Sequence, residues 1–176
     1  GIIMQEYVGM GGLLYFTFIF QSGSNNKIHL FRTDGTENGT VEIPLNSGST
    51  TTNVNPTSLR ATSNRLFFLG YHQSLRENTI WVSDGTALGT ALLTKTSPVL
   101  SPINLTVVNH LLFFTSGRLW VSDGTEVGTK IVLSQSSNLI LTSPMNLTEF
   151  KGKLYCLAFY YLSFNESGYA IIESDG

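Results

Sequence analysis

Apolar positions along this chain fall in short, dense runs rather than at helical spacing. Leu14-Tyr15-Phe16, Leu66-Phe67-Phe68, Leu112-Phe113-Phe114 and Leu154-Tyr155-Cys156 form one set. Leu30-Phe31, Ile80-Trp81, Leu119-Trp120 and Ile171-Ile172 form a second, following the first in each case. The runs are aromatic or β-branched, bounded by turn residues and too short for helices, so they predict strands. Being apolar at successive positions, they suit strands buried on both faces between packed sheets. No stretch carries a useful helical period. Between Phe113-Phe114-Thr115 and Arg118-Leu119-Trp120 stand only Ser116-Gly117, which reads as a tight hairpin with glycine supplying positive φ. The corresponding connections at 21–27, 70–78 and 159–168 are longer and read as inserted loops.

The same order of pieces recurs four times. Thr33-Asp34-Gly35-Thr36, Ser83-Asp84-Gly85-Thr86 and Ser122-Asp123-Gly124-Thr125 are near-copies, and the chain ends on Ser174-Asp175-Gly176. Three copies continue to Gly39-Thr40, Gly89-Thr90 and Gly128-Thr129. Upstream, Pro102-Ile103-Asn104-Leu105-Thr106 matches Pro144-Met145-Asn146-Leu147-Thr148, and more loosely Pro56-Thr57-Ser58-Leu59. A period of about 40 to 50 residues with three or four strands per copy matches β-propeller blades. The expected fold is therefore all-β: a propeller, or a propeller-like array, of four repeats in one domain, 1–176. The approximate copies are 5–54, 55–100, 101–142 and 143–176. In the turn, Asp34, Asp84, Asp123 and Asp175 can accept from backbone amides ahead of them, while Gly35, Gly85 and Gly124 permit left-handed geometry.

The segment Leu-Trp-Val-Ser-Asp-Gly-Thr-Glu-Val-Gly-Thr at 119–129 resembles the bacterial repeat family known by its ELWxxDGTxxGT signature. The likeness covers nearly the whole chain and is specific in copies two and three. Copy one has Phe31-Arg32 where that pattern has its Trp pair, copy four stops before a second Gly-Thr, and Arg118 stands where the family has Glu. The resemblance implies an extracellular or surface-associated propeller and implies no particular chemistry.

Copy four ends without an outer strand, and Gly1-Ile2-Ile3-Met4 resembles the strand that would follow. Three arrangements fit: the N-terminal segment closes the last blade within the chain, the same segment completes a neighbouring chain, or the chain is part of a longer array. Strand exchange of the second kind would give a head-to-tail polymer.

Charge narrows the functional classes. Only 12% of residues are charged, against roughly 25% in an average domain, so Ser, Thr, Asn and Gly carry the polarity, as in secreted β-proteins. A net charge of −2 with scattered Lys and Arg gives no footprint for nucleic acid. The apolar run at 13–20 is too short to span a bilayer and lacks a basic flank. His29, His72 and His110 lie in different repeats without metal-ligand spacing, and no cofactor motif is present. Cys156 takes an aromatic slot of a buried strand and reads as a core thiol. One carboxylate per repeat is sparse for calcium, so the turn aspartates read as structural.

Sequons stand at Asn38, Asn104, Asn146 and Asn165, about as many as chance supplies in a chain this rich in Asn, Ser and Thr. Tyr71 and His72, and Tyr160 and Tyr161, are candidate ligand contacts in the inserted segments, unless they merely extend the strands, which is the favoured reading. The expected function is a non-catalytic, secreted or cell-surface structural or adhesive module, self-assembling into a filament or layer. The alternative is a carbohydrate-binding propeller. Expected partners are further copies of itself, glycans or cell-surface proteins, with no cofactor.

Overall fold

A computed structural model of the chain describes residues 2–22, 25–45, 54–94, 101–132, 140–163 and 166–176. Among these residues the protein is all-β, with no helix, and folds into four antiparallel sheets, one per sequence copy. The first sheet is β1 (Ile2–Met10), β2 (Leu13–Ser22), β3 (Asn25–Thr33) and β4 (Val41–Glu42). The second is β5 (Thr57–Ala61), β6 (Leu66–His72), β7 (Glu77–Ser83) and β8 (Ala91–Leu92). The third is β9 (Ile103–Val108), β10 (Leu111–Ser116), β11 (Arg118–Ser122) and β12 (Lys130–Ile131). The fourth comprises β13 (Ile140–Phe150), β14 (Lys153–Ser163) and β15 (Glu166–Ser174). Strands lie side by side in chain order in every sheet, so each is a simple meander. No helix among the described residues is long and apolar enough to cross a membrane.

One expectation changes. Ile2, Ile3 and Met4 pair with Phe20, Ile19 and Phe18. The N-terminal segment thus begins the first strand of the first sheet and does not supply an outer strand to the fourth. The reason is local: Gly11 and Gly12, at φ 58° and 80°, form a tight reversal that brings β1 back along β2 at little loop-closure cost. The inserted segments are mostly strand, so Tyr71, Tyr160 and Tyr161 extend their hairpins. Phe20 pairs with Lys27, Tyr71 with Asn78 and Tyr160 with Gly168, so the hairpins lengthen and their turns stay short. Alternating apolar and polar residues there could satisfy strand pairing as readily as loop exposure.

The chain divides into two compact units, Gly1–Ser101 and Pro102–Gly176, each holding two sheets. In the first unit, Tyr15 and Leu30 of the first sheet pack with Leu59, Leu66, Phe68 and Trp81 of the second. Tyr15 also reaches the second sheet's turn: a Cβ on Gly85 would lie 2.2 Å from its hydroxyl. In the second unit, Val108, Phe113, Leu119 and Val121 of the third sheet pack with Leu154 and Cys156 of the fourth. One rule covers both units. The middle residue of the aromatic triplet (Tyr15, Phe113) faces the following sheet, and the last residue (Phe68, Cys156) faces the preceding one. Alternation along a strand makes this possible, because adjacent side chains point to opposite faces.

The Pro-containing upstream block forms a bulge in each of the later sheets. Ser58, Asn104 and Asn146 adopt left-handed φ of 57°, 57° and 55°, where the pairing register slips. In the first unit the Glu6 carboxylate accepts from the Ser58 and Leu59 amides at 2.9 and 2.8 Å, tying the first sheet to this bulge. Asn104 and Asn146 thus occupy bulge positions that tolerate asparagine.

Candidate functional site: turn clasps, an aromatic face and a polar cleft

The Asp-Gly-Thr turns consume their own polar groups. In the first, Asp34 Oδ1 accepts from the Thr36 amide at 2.9 Å and the Thr36 hydroxyl at 2.7 Å. The Thr36 hydroxyl accepts from Gly39 N at 2.9 Å, and the Thr33 hydroxyl accepts from Gly35 N at 2.9 Å. Thr40 Oγ1 donates its proton to the Thr36 carbonyl at 2.6 Å, so in the 2.7 Å contact between Thr33 and Thr40 the donor is Thr33. The turns around Asp84 and Asp123 repeat every one of these bonds. Gly35, Gly85 and Gly124 sit at φ 94°, 92° and 91°. In the fourth sheet Gly176 N donates to Ser174 Oγ at 3.2 Å, at the end of the chain beside Asp175. These aspartates lie one per turn, and the described residues contain no group of three His, Cys, Asp or Glu able to hold a metal ion.

The clasp has a pH signature. Hydrogen bonds from the Thr36 hydroxyl and then its amide hold the Asp34 carboxyl below its usual range. Thr86 does the same to Asp84, with a smaller contribution from the charge of Arg65. A carboxylate whose folded pKa is depressed adds stability above its unfolded value near about 4, and that contribution is lost as pH falls through the folded value. The thermal midpoint should therefore hold steady from about pH 7 to 5 and fall below about pH 4. In Asp34→Asn/Asp84→Asn the acid fall should be shallower, measured by calorimetry across that range.

The fourth sheet presents a contrasting feature on its face away from the third. Met145, Leu157 and Ile171 form one cross-strand row, and Thr142, Phe159 and Tyr169 the next. Phe159 meets Tyr161 and Tyr169 edge to face, with centroids 4.9 and 5.0 Å apart. Tyr169 is 63% and Ile171 76% exposed. The face ends in a polar cluster, where Glu173 bonds both Lys153 and the Tyr155 hydroxyl. Those two bonds, Lys153 first, lower the Glu173 carboxyl below its usual range. The first sheet carries its own aromatic group on the face away from the second: Phe16, Phe18, Phe20 and Phe31. Phe16 is buried among its neighbours, while Phe20 remains exposed.

In the first unit, Tyr71 lines a cleft of about 480 Å³ with Asn55, Gln73 and Arg76. Tyr71 is the penultimate residue of β6, and its amide donates to Val54 O at 2.7 Å, beyond the last β5–β6 pair. That approach requires Gly70, where a Cβ would lie 2.3 Å from Val54 Cγ1 and 2.7 Å from the Trp81 ring. Asn55 Oδ1 accepts from Ile28 N at 3.1 Å, which fixes its amide. His72 does not line the cleft; its Nδ1 accepts from Leu75 N at 3.3 Å within the turn.

The remaining candidates scatter. Tyr160 and Tyr161 are neighbours in β14 and so point to opposite faces; the Tyr160 ring lies over Gly168, while Tyr161 joins the aromatic face. His29 Nδ1 contacts Glu42 at 2.7 Å, and His110 sits in the turn between β9 and β10. Cys156 is buried, and burial pushes its thiol upward. Asn38, Asn104 and Asn146 are exposed, and Asn165 lies outside the described residues. Asn55 and Arg76 were not singled out by sequence reasoning. Only the paired left-handed residues and the long-range Val54–Tyr71 contact bring them together, and no local motif encodes that. Comparison of the chain with protein-family models and with curated proteins finds no match.

Proposed function

We propose that the chain is a non-catalytic structural or adhesive module of β-propeller type, acting outside the cell, whose copies associate head to tail. The observation that carries this reading is the uncovered aromatic face of the fourth sheet, with Tyr161, Tyr169 and Ile171 exposed. Contiguous apolar surface of this kind marks an interaction site more often than it marks nothing. Its occupant follows from the packing rule inside each unit, where a Tyr15-type face meets a Phe68-type face of the next sheet. The fourth sheet offers the first kind of face, and the Phe16 face of the first sheet offers the second. A second copy of the chain can therefore bring its first sheet against this fourth sheet, and because the two faces differ, the contact is heterologous. This replaces exchange of the N-terminal strand, since β1 is already paired along its own sheet. The low charge, the repeat and the likeness to ELWxxDGTxxGT repeats support a surface setting.

Sedimentation measures the assembly directly. The native chain should grow in mass with concentration, and Ile171→Lys and Phe20→Lys should each remain monomeric. Mixed together, the two variants keep one intact face each and should form a dimer that grows no further. A native chain that stays monomeric at high concentration, or variants that assemble normally, would overturn the proposal.

A further inference from the structure

We infer that the cleft formed by Asn55, Tyr71, Gln73 and Arg76 binds a carboxylate-bearing saccharide. Among the described residues its lining carries amide, phenol and guanidinium groups and no carboxylate. Arg76 has no ion-pair partner among the described residues. The adjacent acid, Glu77, accepts from the Ser101 hydroxyl at 2.5 Å. Asn55 spends its carbonyl oxygen on Ile28 N, which leaves its amide nitrogen as the end free to donate. Gln73 adds a second amide, and Tyr71, 40% exposed, adds a phenol and a ring face.

This combination selects its ligand by chemistry. A guanidinium presents a planar fork that matches a carboxylate with two parallel hydrogen bonds. A ring face accepts the apolar side of a pyranose, while oriented amides read hydroxyl groups. The volume is that of a small-molecule site.

The frame is rigid where it must be. Val54 O and the Tyr71 amide fix the floor, and the hydrogen bond from Leu75 N to His72 and another from Arg76 N to Gln73 O at 3.3 Å fix the turn. Arg76 itself stands at φ 55°, a backbone state that asparagine or glycine adopts more readily. An arginine held there points its function to the side chain rather than to the turn.

The test uses the full chain carrying Ile171→Lys, so that its outcome does not depend on assembly. Calorimetric titration compares a glucuronate-terminated oligosaccharide with the same oligosaccharide after reduction of its carboxyl group. The acidic probe should bind about ten- to a hundredfold more tightly than the reduced one, the range expected for a charge-assisted pair. Arg76→Gln should erase that difference, and Arg76→Lys should restore part of it. Tyr71→Ala should weaken both probes alike. Equal binding of the two probes, a ratio unchanged by Arg76→Gln, or no binding of either would refute the assignment.

Discussion

Replacing Gly89 by alanine is expected to destabilise the chain by about 2–4 kcal/mol, combining overpacking with lost hydrogen bonds. A Cβ at this position would lie 2.1 Å from the Asp84 carboxylate, which occupies the space above the glycine. The carboxylate must then leave, and with it go the bonds from the Thr86 amide at 2.9 Å and the Thr86 hydroxyl at 2.7 Å. The Ser83–Thr90 contact at 2.6 Å is buried, so its loss strands hydroxyl groups away from water. Leu88 is the control: it is fully exposed one residue earlier in the same turn, and Leu88→Ala should change stability by no more than about 0.5 kcal/mol. Denaturant titration of the two variants decides the matter. A Gly89→Ala chain as stable as Leu88→Ala would mean that the clasp does not hold the turn.

That glycine illustrates what sequence reasoning reaches and what it misses. The first glycine of the motif is legible because a turn after aspartate asks for positive φ, and Gly85 has φ 92°. The second glycine recurs just as regularly, yet its φ is not left-handed; its reason is a side chain five residues away that no local rule places. The strands were legible for the opposite reason. Aromatic triplets such as Leu66-Phe67-Phe68 have only one way to bury both faces, which is between sheets. Register and hairpin length were less so, because residues 70–78 satisfy either a loop or a lengthened hairpin until Tyr71 and Asn78 are seen to pair. The N-terminal segment resembles an outer strand, but the reversal at Gly11-Gly12 pairs it along β2 instead. Of the cleft, only Tyr71 was legible. Asn55 and Arg76 line one cleft only because two left-handed residues, a bulge and Gly70 bring separate segments together.

The packing rule, in turn, makes a quantitative contrast between two aromatic residues. Phe68 is fully buried in the core of the first unit and stacks on Trp81 with centroids 6.3 Å apart. Phe68→Ala should cost about 3–5 kcal/mol, the usual price of a large core cavity. Tyr169 belongs to an aromatic cluster of similar composition, but it is 63% exposed. In dilute solution Tyr169→Ala should cost about 0.5 kcal/mol or less. As the chain is concentrated, association stabilises the native protein by mass action and the gap to Tyr169→Ala should widen. Thermal unfolding at two well-separated concentrations measures both effects in one experiment. A concentration-independent loss at Tyr169 as large as that at Phe68 would place the fourth sheet's aromatic face inside the monomer's own core, and head-to-tail association would lose its surface.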